Sequence, residues 1–454
     1  MLQRNARRAA LALLLAATAL ASPVIASSDA RAGSPTKRAL PDYDGRPAPD
    51  PTVGDVLLWV PRVALSPAYV VTEYVVRRPL GFLITEAERA DLASLLITVF
   101  TFGDSDAGVV PTFLLDFGIE AGALPSGGLY FFWDDVTFDG HDLRLRAATA
   151  GSDWYQLALT NRLAFDDASR LTVDFDYDRR KDHVFAGIGP AFDEDAIGRY
   201  GMDRVSGSVG YTRDLGQRGE IALAAQAAHF SFFRARCCED PPIQDRVAAG
   251  TYALPTGYGD AQGYVGPDLR LAVDSRAVRP GSESGVRIEL GGLLAKGVGG
   301  DDATWLRTTV SLGGYLDVLN NRTLGLRLYG DLVTPLEGEV PFSELATLGD
   351  DAPLRGFAEG RLRGQSAVAA VVDYRWPIWV FLDGHLFIEL GNVFGEGFDG
   401  FDVDQLRFSA GFGVRPASRE DHEFELMVAL GTEPLGDGGA VTTARLVFGT
   451  TSGF

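Results

Sequence analysis

The stretch Leu171-Thr-Val173-Asp-Phe175-Asp-Tyr177-Asp decides the fold. Apolar side chains fall on odd numbers, polar or acidic ones on even numbers. A period of two places the two sets on opposite faces of a β-strand. Val286-Arg-Ile288-Glu-Leu290 repeats the pattern, and Phe424-Glu-Leu426 repeats it again. A soluble sandwich also alternates, so the number of strands and their spacing have to discriminate.

About sixteen candidate strands begin near residues 111, 128, 142, 154, 169, 203, 219, 268, 285, 304, 323, 367, 386, 405, 422 and 440. Spread over Pro111 to Phe454, this leaves roughly 21 residues per strand plus connection, as for tilted spanning strands of ~10 residues. Asp166–Ser169, Gly216–Gly219 and Asn320–Arg322 have the composition of short turns. Arg234–Gly266 reads as a long outer loop. The expected fold is all-β: a transmembrane antiparallel β-barrel of about sixteen strands over 109–454, with a short helical segment ahead of it.

Composition agrees. The chain has 454 residues, 54 of them glycine, with 10% aromatic and 22% charged residues. The mean hydropathy of +0.04 excludes a bundle of apolar helices. An apolar outside and a polar inside average to such a value. The net charge of −20, from 61 acidic against 41 basic residues, disfavours nucleic acid as a partner.

Upstream of the strands, residues 1–32 read as a signal peptide. Arg4, Arg7 and Arg8 precede an apolar core from Ala9 to Leu20, with small-residue cleavage sites after it. Residues 33–54 form a Pro-rich linker. Residues 55–108 are expected to form a short helical periplasmic or plug segment, with Tyr69, Val70, Glu73, Tyr74 and Arg77 at amphipathic spacing.

Among the loops, Pro341-Phe-Ser-Glu-Leu-Ala-Thr-Leu-Gly-Asp-Asp-Ala-Pro-Leu-Arg-Gly-Phe357 is too rich in Gly, Pro and Asp for a strand. Strand-flanked loops of this length are usually functional or disordered. Arg355 lies between the apolar Leu354 and Phe357, and a buried Arg requires a carboxylate. Phe387-Ile-Glu389-Leu-Gly391 offers one: if Ile388 and Leu390 face lipid, Phe387 and Glu389 face the lumen.

These segments resemble the bacterial surface-antigen, BamA/TamA-like outer-membrane assembly-barrel superfamily. Phe185-Ala-Gly187-Ile-Gly189 is similar to its FxGxG turn, and Asp274-Ser-Arg276, followed by Pro280 and Gly285, to its DxR segment. Glu344–Asp350, then Leu354-Arg355-Gly356-Phe357, then Phe387-x-Glu389-x-Gly391 follow in the expected order. Glu389 stands where the family usually has Asp. The resemblance implies a lumen loop at Leu354–Phe357 and a wall partner at Glu389. It also implies outer-membrane lipids as surroundings and unfolded outer-membrane or translocated proteins as clients. Phe454 resembles the terminal aromatic by which such barrels are recognised for assembly. No pattern of a periplasmic POTRA module is read ahead of the strands.

Chemistry for catalysis is not legible. The five histidines are scattered, and no phosphate loop, nucleophile elbow or zinc signature occurs. No cofactor, metal or enzymatic activity is expected. Cys237 and Cys238 are adjacent; a bond between neighbours is rarely structural, so both are taken as plain loop residues. The expected function is insertion or translocation of proteins in the outer membrane. The alternative is a passive pore or a structural barrel.

Overall fold

A computed structural model describes Tyr74 and residues 106–452, apart from 191–195, 260, 277–283, 300–302, 319–320, 380–381 and 417–421. The signal-peptide and linker expectations, nearly all of the helical segment, and Phe454 lie outside the described residues. No described helix is long and apolar enough to cross a membrane.

The first strands are β1 (Ala107–Gly118), β2 (Ser126–Trp133), β3 (His141–Thr149), β4 (Tyr155–Asp166), β5 (Ser169–Phe185) and β6 (Gly198–Leu215). They continue as β7 (Gly219–Phe233), β8 (Gln262–Asp274), β9 (Gly285–Val298), β10 (Thr304–Asp317) and β11 (Thr323–Glu337). A miniature hairpin, β12 (Ala346–Leu348) and β13 (Leu362–Gly364), interrupts the series. β14 (Ser366–Trp379), β15 (Leu382–Phe394), β16 (Arg407–Pro416), β17 (His422–Pro434) and β18 (Val441–Ser452) complete it.

Apart from β12 and β13, each strand pairs antiparallel with its sequence neighbours, and β1 closes on β18. Among the described residues this makes a closed barrel of sixteen strands. Long connections, 234–261, 338–365 and 395–406, gather at one end; tight turns such as 167–168 and 216–218 lie at the other.

The alternation decides which side of the wall each residue meets. On β11, Leu324, Leu326 and Leu328 are exposed, forming an apolar row on the outer surface. Asp331, of opposite parity, is fully buried and takes a fork from Arg307, Nε to Oδ1 at 3.1 Å and Nη2 to Oδ2 at 2.6 Å. On β5, Val173 and Phe175 are exposed. Asp174 accepts bonds from Thr160 and Ser208 on the inner side. Polar pairs inside and apolar rows outside are what a strand barrel in lipid requires.

At the long-loop end the interior is apolar. Phe342 packs against Phe185, Tyr200, Phe232 and Tyr258, with ring centroids 5.0–6.1 Å apart. β6 and β8 begin at Gly198 and Gln262, earlier than the alternation indicated. Their extra residues carry Tyr200 and Tyr264 into this cluster.

Candidate functional site

The hairpin of β12 and β13 pinches the base of the 338–365 loop, and Glu344 beside it receives Arg204 of β6 at 2.6 Å. Beyond the pinch the chain folds back on itself. Gly349 N donates to Pro353 O (2.8 Å), Asp350 N to Phe357 O (3.1 Å), and Phe357 N to Leu354 O (2.9 Å). Leu354 takes a left-handed conformation, φ +71°, and is fully buried. A branched apolar residue adopts such a backbone only where its surroundings hold it. That bend presents Arg355 to the wall.

Arg355 meets Glu389 twice. Its Nε donates to Oε1 at 2.9 Å and its backbone N to Oε2 at 2.7 Å. The guanidinium lies 3.6 Å over the Phe387 ring and 3.8 Å from Asp373 Oδ2. Glu389 is fully buried and also accepts from Ser409 Oγ (3.1 Å) on the neighbouring β16, while Gly356 N donates to that same hydroxyl (3.0 Å). Both oxygens of the buried carboxylate thus accept a hydrogen bond, one from Arg355 Nε and the other from Arg355 N and Ser409 Oγ. Gly356 has no alternative here: a Cβ would lie 2.3 Å from Leu430 O. Phe357 is fully buried, its ring so close to Gly431 that a Cβ there would meet it at 2.7 Å.

The same loop reaches a second anchor that the alternation did not single out. Arg445 on β18 forks onto Asp116 of β1, with Nε to Oδ1 at 2.9 Å and Nη2 to Oδ2 at 2.7 Å. Its Nη1 donates to the carbonyls of Arg355 and Phe357, both at 3.1 Å, and its Nη2 to Asp350. Arg445 is fully buried. Arg361, further along the loop, pairs with Glu120 just beyond β1. Residues from β1, β15, β16 and β18 therefore converge on one loop tip.

The other sequence candidates fall elsewhere. Asp274 and Arg276 lie at the tight-turn end. Arg276 forks onto Asp274 (2.9 and 2.6 Å) and stacks over Tyr315 at 4.4 Å, far along the barrel from the loop. Gly391 is packed so tightly that a Cβ would sit 2.3 Å from Val368 O. Cys237 and Cys238 do lie in a loop, but they are joined in a disulfide, so the reading of both as plain loop residues is corrected. Among the described residues no group of His, Cys, Asp and Glu is placed to hold a metal ion.

An Omp85 superfamily domain matches residues 139–418, more than half of the chain. The chain belongs to the Omp85 superfamily. Arg355, Glu389 and Ser409 fall inside the matched residues; Asp116 and Arg445 fall outside them. The barrel of BamA from Haemophilus ducreyi lacking POTRA domains 1-3 has the same fold. The TM-score is 0.52 at 15% identity, over 76% of this chain and 70% of that one. CdiB from Acinetobacter baumannii is 12% identical, with a TM-score of 0.47 over 75% of this chain and 60% of that one. No curated protein matches the chain. The Omp85 fold makes this an outer-membrane barrel, consistent with the apolar outer rows.

Proposed function

We propose that this Omp85 barrel inserts or translocates proteins at the outer membrane, with its Leu354–Phe357 loop folded into the lumen. In this reading the first residues are a signal peptide, the clients are unfolded outer-membrane or translocated chains, and the protein works by binding and shape rather than by enzymatic chemistry. One observation carries it: a single loop tip is fastened to Glu389 on β15 and to Arg445 on β18, the strand that closes the barrel. A passive pore has no need of a buried Arg–Glu pair that fills its own lumen. Burying such a pair is weak in net stability and strict in geometry, which suits a part that must hold one position.

The test is the outer-membrane proteome after depletion of this protein, read by quantitative mass spectrometry. Loss of one or more other barrels is expected. An unchanged proteome, together with a large steady single-channel conductance that deletion of Leu354–Gly360 leaves unaltered, overturns the reading in favour of a passive pore.

A further inference from the structure

We propose that the Cys237–Cys238 disulfide is a reducible site at the long-loop end of the barrel. It takes a small dithiol as its reaction partner, and its state sets how firmly the 234–259 loop is held. The bond joins adjacent residues with Cα atoms 3.7 Å apart. The stabilising effect of a cross-link grows with the length of chain it encloses, so this one constrains little beyond its own turn. What it does hold is specific. Cys238 and Glu239 are successive non-glycine residues in the left-handed region, φ +60° and +70°. Asp240 N closes the turn by donating to Cys237 O at 3.1 Å.

That turn delivers Asp240 to a buried cation. Arg199 on β6 is 1% exposed and donates from Nε to Asp240 Oδ2 at 2.7 Å. Its backbone N donates to Pro241 O at 2.9 Å, and its Nη1 to Asp182 O at 2.7 Å. Directly after this tether comes the short helix α1 (Ile243–Ala248), whose Ile243 is fully buried. Tyr252 and Tyr258 then pack on Phe185 and Phe232, with centroids 5.0 and 5.3 Å apart. The turn is the first fixed point of a loop that lies over the aromatic interior.

Access is asymmetric. Cys238 is exposed, whereas Cys237 is 8% exposed. An open cavity of about 520 Å³ lies against the turn, between Arg236, Glu239 and Asp245. An incoming thiolate therefore attacks Cys238 Sγ, forming a mixed disulfide and releasing Cys237 Sγ as a thiolate that takes up a proton. The second thiol of the reagent then displaces Cys238 Sγ. Two electrons pass to the protein, which gains two thiols, and the reagent leaves as a cyclic disulfide. With the ring opened, nothing covalent holds Cys238 and Glu239 in their left-handed turn, and Asp240 loses its fixed approach to Arg199.

The experiment uses the full chain in detergent, with dithiothreitol as reductant and trypsin as the loop probe. Reduction is expected while the barrel keeps its β circular-dichroism signal, with Cys238 alkylated before Cys237. Cleavage after Arg234, Arg236 or Arg246 is expected to accelerate several-fold. Asp240→Asn, which keeps the disulfide, is expected to be cleaved at the reduced rate under oxidising conditions, as is Cys237→Ser with Cys238→Ser. A disulfide that resists dithiothreitol until the barrel unfolds overturns the proposal. So does equal cleavage of the oxidised and reduced forms, and so does an Asp240→Asn protein that behaves like the oxidised wild type.

Discussion

Two junctions in the wall are built differently. β5 and β6 pair from Ser169↔Arg213 to Phe185↔Gly198, a ladder running from one end of β5 to the other and along nearly all of β6 with one irregularity. β1 and β18 pair only from Leu114↔Gly449 to Gly118↔Arg445. Beyond that, Phe113 N turns to the Thr450 hydroxyl at 3.1 Å rather than to a ladder carbonyl. The short junction is reinforced by the Arg445–Asp116 fork, the loop carbonyls on Arg445 and the Arg361–Glu120 pair. Cooperative ladders fix most of the barrel, while side chains and one inserted loop fix its closure. A ladder resists single substitutions because each residue contributes one bond among many; a fork at a buried guanidinium does not.

Arg445→Ala breaks this comparison most severely. It strands Asp116, which is 7% exposed, and frees two loop carbonyls and Asp350. Leaving one partner of a buried pair costs ~3–5 kcal/mol. Hydrogen exchange should rise across β1 and β18 and stay unchanged in the β5–β6 ladder. Uniform exchange in both places would mean that the closure is no weaker than the rest of the wall.

Arg355→Ala sharpens it from the loop's side. The side chain loses Glu389 and the Phe387 face, but Glu389 keeps Ser409 and the backbone N of residue 355. A cost of ~2–4 kcal/mol follows, smaller than for Arg445 because the carboxylate is less abandoned. Adding Glu389→Ala should recover part of the loss in thermal unfolding. Additive losses across the double-mutant cycle would show that the two groups are independent.

How much of this was legible depends on distance along the chain. The strands were, because a period of two is written locally and the wall repeats it. The Arg355–Glu389 pair was also legible: 34 positions separate the two residues, Arg355 is a charge between apolar loop residues, and alternation on its strand turns Glu389 inward. Arg445 and Asp116 were not, since 329 positions separate them and both sit in ordinary alternating runs. Parity assigns them to the interior, as it does many other Arg and Asp residues. Only closure of β18 on β1 makes them neighbours. The disulfide was misread for a different reason: adjacency in sequence argues against a bond, while the turn at Cys238 and Glu239 accommodates one.

The smallest expected effect is a pH dependence of the loop, and it separates loop seating from wall stability. Asp351 is open to water but sits beside the wall. Desolvation, together with the carboxylates of Asp350, Glu359 and Glu425, raises its pKa to about 6. In the unfolded chain it returns to about 4. Between those values the folded protein binds the extra proton, so stability contributed by this group falls as pH rises from about 4 to 6. Above pH 6 the ionised side chain repels its neighbours, and the loop is at its loosest. Hydrogen exchange within 349–361, corrected for the intrinsic pH effect, should therefore increase between pH 4.5 and pH 7. Asp351→Asn should flatten that increase without altering exchange in the β5–β6 ladder. A slope that survives the substitution would transfer the titration to another carboxylate of the cluster. A slope shared by the ladder would make it a property of the whole barrel rather than of the loop.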